Sequence, residues 1–163
     1  MSWSAGYVRL DDRTAAPHPS LRERPAFVVQ DVSRTMRARV DEQLQESGLT
    51  WLSFSLLLVA DSVDRLSQQA LASKARIDRN RTSAALVDLE YEGYLARIPS
   101  PTDRRRVLVE ATPTGRGLLA EALPAVERGE LAALRGLTPR ERARLHTLLE
   151  RLVRDDRPAF LRR

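Results

Sequence analysis

Cysteine is absent from the 163 residues, which excludes disulfides, thiolate metal sites and thiol chemistry. Histidine is almost absent, with His18 in a polar arm and His146 near the other end, so neither a nucleophile triad nor a histidine-rich metal site is expected. The carboxylates offer no better start for catalysis. Asp11-Asp12 and Asp155-Asp156 sit in polar tails, Asp61 and Asp64 fall at a helix end, and acid/base work requires one member of a pair to be desolvated. Gly115 and Gly117 resemble half of a phosphate loop, yet no lysine follows and no βαβ context surrounds them. The chain is therefore expected not to be an enzyme and to need no cofactor and no metal. No apolar run approaches the roughly 18 to 20 residues of a membrane span, and the first residues lack the charged-then-apolar pattern of a signal peptide. A soluble, cytoplasmic chain with no membrane partner is the expectation.

Lysine is scarce too: Lys74 is the only one, so the net charge of +5 rests on arginine. With an isoelectric point of about 10.5, this balance favours a polyanion as partner. The length suits one ordinary domain or two intimately joined halves.

Residues 1–24, polar and punctuated by Pro17 and Pro19, read as a flexible arm. Residues 25–62 read as two helices. Pro25 suits a first helical turn, and Val29, Val32, Met36, Val40 and Leu44 recur every three to four residues up to Ser47-Gly48. Thr50 then caps a second helix that is apolar nearly all round from Trp51 to Ala60, which marks it as central and buried.

Residues 63–111 carry the most informative pattern. A helix is predicted to start at Ser67, whose hydroxyl can accept from first-turn N–H groups, and to break near Ala75 to Ile77. Asp78 is a second N-cap, suited to the positive end of the helix dipole, and Gly93 is the stop, because glycine adopts left-handed dihedrals at little cost. The enclosed helix has about four turns. At about 100° per residue, Thr82, Ala85, Leu86 and Leu89 form a stripe fit for burial. The other side shows Asn80, Ser83, Ala84 and Val87, flanked by Arg79 and Arg81. Asparagine can pair with adenine, arginine with guanine, and an apolar side chain can touch a thymine methyl. Tyr94 to Ile98 and Val107 to Ala111 then enclose Pro-Ser-Pro-Thr-Asp-Arg-Arg-Arg, a two-stranded ribbon that must lean on the helices. Its tip of Arg104, Arg105 and Arg106 suits a narrow minor groove.

Residues 112–154 read as two further helices. Thr112-Pro113 is a start signal, Leu118, Leu119, Leu123 and Val126 share a side, and Pro124 is expected to kink the helix into a second segment through Leu134, with Gly136 as its stop. Thr138-Pro139-Arg140-Glu141 is a capping box ahead of the stripe Leu145, Leu148, Leu149, Leu152 and Val153. Residues 155–163 are a polar tail. The first helix and the last two hold more apolar stripe than one small winged unit can bury, so a homodimer is inferred, with two recognition helices set about 34 to 36 Å apart on a pseudo-palindrome.

Leu-Ser-Gln-x-x-Leu-Ala from Leu66, Leu-x-x-Glu-Gly-Tyr-Leu at 89–95, Asp103-Arg104-Arg105 and Ala111-Thr112-Pro113-x-Gly115 resemble the MarR family of bacterial transcription regulators over roughly Pro25 to Val153. The resemblance implies a mainly α fold with a small β-wing, a winged helix-turn-helix, in a homodimer whose dimerisation layer comes from the N- and C-terminal helices. It implies that Asp103 braces Arg105 in the wing. Two positions depart from the family's common pattern: Ser100 replaces an acidic residue at the start of the wing, and Ala84 replaces an arginine in the recognition helix. The absence of cysteine excludes the thiol-based peroxide sensing of one branch of the family.

The expected function is that of a ligand-responsive repressor binding double-stranded DNA as a dimer. The DNA-contacting residues would be Ser67, Gln68, Lys74, Arg79, Asn80, Arg81, Ser83, Ala84, Val87, Arg104, Arg105 and Arg106. A small aromatic or lipophilic effector is implied by the resemblance, and Arg34, Arg37, Trp51 and Phe54 are candidates for its site by position. Two alternatives are a winged-helix DNA binder controlled by a protein partner through the arm, and a helical dimerisation scaffold.

Overall fold

The computed structural model describes residues 19–103 and 105–155; the arm before Pro19, the tail from Asp156 and Arg104 lie outside them. The chain divides into two compact units, residues 1–34 and 35–163. Helices α1 (Pro19–Arg22) and α2 (Pro25–Leu44) come first. In the first unit, the Arg24 carbonyl accepts from the Phe27 and Val28 N–H groups, so Pro25 occupies a first-turn site where a missing donor costs nothing. Asp31 and Arg34 pair one turn apart.

In the second unit, α2 ends in a 3-10 turn, Gln45–Ser47, with Gly48 left-handed beyond it. Helix α3 (Trp51–Ser62) starts where the Thr50 hydroxyl accepts from the Ser53 N–H. Its first free donor, the Trp51 N–H, goes to the Asp41 carboxylate at 2.6 Å, an anion at the positive end of a helix. Phe54, Leu56, Leu57 and Ala60 are buried, as the nearly all-round apolar run predicts. They form the centre of a core with Val40, Leu44, Leu71, Leu86, Leu95, Val109, Leu119 and Val126.

Strand β1 (Leu66–Ser67) precedes α4 (Gln68–Ala75) and α5 (Arg79–Tyr91). Strands β2 (Leu95–Pro99) and β3 (Val107–Ala111) make the hairpin, with Leu95 opposite Ala111 and Pro99 opposite Val107. The sheet has three antiparallel strands in the order β1-β3-β2. The expected two-stranded ribbon is thus corrected: Leu66 and Ser67 pair with Val109 and Leu108 before the helix begins. Two residues are too few to show any alternation, so β1 exists because β3 offers it an open edge.

Helices α6 (Pro113–Ala133) and α7 (Pro139–Asp155) follow. The Thr112 hydroxyl accepts from the Gly115 N–H at 3.0 Å, and the Glu141 carboxylate accepts from both the N–H and the hydroxyl of Thr138 at 2.7 Å, the two start signals read from the sequence. The expected break at Pro124 does not occur, and α6 runs through it. Pro124 and residue 120, whose carbonyl loses its partner, both lie on the exposed side, where water can take the freed acceptor. Leu123 is exposed as well, and the inward stripe is Leu119, Ala122, Ala125 and Val126.

Candidate nucleic-acid interface

Helices α4 and α5 are held at an angle by a turn in which Arg76 is left-handed, its N–H donating back to the Ala72 and Ser73 carbonyls. Ser67 caps α4, accepting from Ala70 at 3.2 Å, and Asp78 caps α5, accepting from Arg81 at 2.9 Å. At the far end Glu92 closes the helix, and Gly93, at φ 74°, lets the Tyr94 N–H return to the Leu89 carbonyl.

The two sides of α5 differ as the periodicity predicts. Thr82, Ala85, Leu86 and Leu89 are buried, and the Thr82 hydroxyl donates to the Asp78 carbonyl, so this polar residue enters the core satisfied. Arg79, Asn80, Arg81, Ser83, Ala84 and Val87 are exposed. Arg81 reaches back to Asp78 at 3.9 Å. Gln68 is half-buried at the first turn of α4 and Lys74 is exposed in its last turn. Ser67 is half-buried with its oxygen already used as a cap.

Tyr91 was not among the residues expected on the exposed side of α5. It is 88% exposed, four residues beyond Val87 and three turns beyond Asn80, so it lies on the same side of α5. The i+4 step from Val87 was the available signal.

The wing loop is closed by backbone bonds from Ser100 N–H to the Arg106 carbonyl and from Arg106 N–H to the Asp103 carbonyl, both 2.9 Å. Ser100, standing where an acid is common, is buried, and its hydroxyl contacts that of Thr102 at 3.2 Å. Asp103 accepts from the backbone N–H of Arg105 at 3.0 Å, and its ion pair runs to Arg106 at 3.6 Å. The bracing side chain is therefore that of Arg106, because the turn brings residue i+3 alongside residue i. Arg105 and Arg106 are exposed, and Arg104 is outside the described residues.

Of the candidate effector residues, Arg34 belongs to the first unit and pairs with Asp31. In the second unit Arg37 is exposed, Phe54 is buried in the core, and the half-buried Trp51 ring packs on it with centroids 5.9 Å apart.

Residues 47–106, from the end of α2 through the wing tip, match the sequence model of the MarR family. A regulatory protein of Thauera aromatica, named for the hcr operon, is 38% identical over 109 residues, 67% of this chain and 66% of that relative. The chain belongs to the MarR family of transcriptional regulators. Solved MarR-like structures agree. The repressor CouR of Rhodococcus jostii, bound to a 23-mer DNA duplex, superposes with a TM-score of 0.77 at 26% identity, over 86% of this chain and 99% of that one. Bordetella bronchiseptica BpsR, whose DNA binding is regulated by 6-hydroxynicotinic acid, gives 0.74 at 27% identity, over 85% and 98%. The MarR chain described here thus carries its family match on α3 to the wing, the segment that holds α5 and the arginine loop.

Proposed function

We propose that this MarR-family chain is a dimeric, cytoplasmic repressor that reads a pseudo-palindromic operator and is released from it by a small aromatic acid. The observation that carries this is the two-sided α5: one side is buried to the last residue, and the other offers Asn80, Ser83, Ala84 and Val87 between Arg79 and Arg81. A helix seated by one side on a core, with an amide, small groups and cations on the other, has the chemistry of a major-groove reader. The basic wing loop beside it suits the neighbouring minor groove. CouR on its DNA duplex supports the DNA reading, and the 6-hydroxynicotinic acid of BpsR supports an aromatic acid as effector. Such an effector acts only by binding one conformation better than the other.

Dimerisation follows from α7, where Leu148, Leu149, Leu152 and Val153 stay exposed in the single chain, Leu152 at 62%. Leucines at that spacing on one helix need a cover. Catalysis has no part in this reading, which takes the protein not to be an enzyme. The test is selection of binding sites from random duplex DNA with the purified protein, read alongside its mass in solution. A two-fold-symmetric site bound by a dimer supports the proposal. Well-folded protein that enriches no sequence removes it and favours a helical scaffold.

A further inference from the structure

Leu95, Val109 and Ala111 seat the lower part of the wing in the core, and the wing stands free beyond Ile98 and Leu108. At its base, the Thr112 hydroxyl donates to the Gly93 carbonyl at 2.7 Å and the Thr112 N–H to the Tyr94 carbonyl at 3.1 Å. On the β3 side, pairing with β1 ends at Leu108. Among the described residues, the hydrogen bonds beyond Arg97 and Leu108 run within the hairpin itself. One side-chain bond joins the wing to the recognition helix above its base: Arg97 Nε donates to both carboxylate oxygens of Glu90, at 2.6 and 2.8 Å.

The local geometry makes this contact specific. Side chains alternate along β2, so Arg97 shares a side with Leu95, the residue that anchors the strand in the core. Glu90 stands in the last turn of α5, just after the buried Leu89 and about a quarter-turn from the stripe of Asn80, Val87 and Tyr91. The pair spans the Gly93 turn and closes it into a bracket. It also neutralises a carboxylate that would otherwise stand beside a surface meant for phosphates.

We propose that Glu90 and Arg97 are positioning residues that set the angle between the recognition helix and the wing, so that both grooves are reached at once. The inference rests on the DNA-binding reading for its consequence, but not for its geometry. Pairing with β1 fixes the β3 edge of the hairpin as far as Leu108, opposite Ile98, and leaves β2 as the outer edge of the sheet. The bracket ties that outer edge to α5 at the level of Arg97, which limits how far the hairpin can twist about β3 toward or away from the helix. Both bonds come from Nε, whose N–H is fixed in the guanidinium plane, whereas a lysine ammonium is a rotating point charge.

Two measurements on the full chain test this. The absence of cysteine allows spin labels at S83C on α5 and T102C on the wing, with labelled protein diluted into unlabelled. The native pair should give a narrow distance distribution, E90Q or R97Q a broad one, and the reversed pair E90R/R97E a narrow one again. A distribution unchanged by E90Q and R97Q, or one not narrowed by the reversal, overturns the proposal. The second measurement is hydroxyl-radical footprinting on the selected duplex. E90Q should lose minor-groove protection at the flanks, with about a tenfold loss of affinity, while the protected centre stays the same. Uniform loss across the site, with no selective loss at the flanks, also overturns the proposal. If the native protein protects no duplex, the DNA reading fails, and the spin-label distances still decide the bracket.

Discussion

A Cβ on Gly115 would lie 2.1 Å from the carbonyl oxygen of Tyr94 and 3.1 Å from Leu57 Cδ1. The first turn of α6 thus rests directly on the backbone where the wing begins, and the Thr112 cap and the Tyr94 carbonyl meet at the same point. This is where the winged segment joins the helix that follows it, and glycine alone permits the approach.

Gly115→Ala should therefore destabilise the fold by about 1 to 3 kcal/mol, since either α6 or the start of β2 must shift. Urea denaturation followed by circular dichroism measures it. Gly117→Ala, at a site with open space around it, is the control and should be neutral or slightly stabilising.

Asn80→Ala and Arg105→Ala should separate base reading from phosphate binding. The asparagine variant should change which duplex is preferred. The arginine variant should weaken binding to most sequences and flatten the slope of log affinity against log salt by about one. Titrations at several salt concentrations on matched and scrambled duplexes measure both. Unchanged binding in both variants would place the contact surface elsewhere.

Two glutamates should respond to pH with opposite signs. The Glu141 carboxyl is held below the ordinary glutamate value by hydrogen bonds from the backbone and hydroxyl of Thr138. Its contribution is present above the unfolded pKa and lost as pH falls through the folded one. Burial, with Glu127 beside it, pushes Glu130 above the ordinary value, and His146 draws it back in part. Its contribution is present below the unfolded pKa and lost as pH rises through the folded one. Thermal melts from acid to neutral pH should show Glu141→Ala costing most at neutral pH and little in acid. Glu130→Gln should gain on the native protein as pH rises.

Leu149→Glu combined with Leu152→Glu should shift the protein from dimer to monomer, read by sedimentation. Both side chains are exposed in the single chain, so its helical circular dichroism should persist. A dimer that survives both changes would move the interface off α7.

The N-caps were legible in the sequence because each acts within one turn. Thr50, Ser67, Asp78, Thr112 and Thr138 all start helices where expected. The buried and exposed sides of α5 were legible for a similar reason, since a 3.6-residue period records which side meets the core. Each of these signals is local, so the residues alone determined these five starts and the surface α5 presents; the short α1 (Pro19–Arg22), inside the stretch read as a flexible arm, carries no such signal.

What lay outside that range was settled by how the elements meet. Leu66 and Ser67 became a strand only because β3 passes alongside, and α6 ran through Pro124 because that side of the helix meets water. Arg76 took a left-handed conformation usual for glycine because α4 and α5 must turn sharply there. Arg106, not Arg105, pairs with Asp103 through the shape of the loop, and Glu90 finds Arg97 seven residues away across the Gly93 turn. The reason is common to all of them. A cap or a stripe is determined by neighbours along the chain, whereas a pairing across a turn depends on angles between elements that no single element specifies.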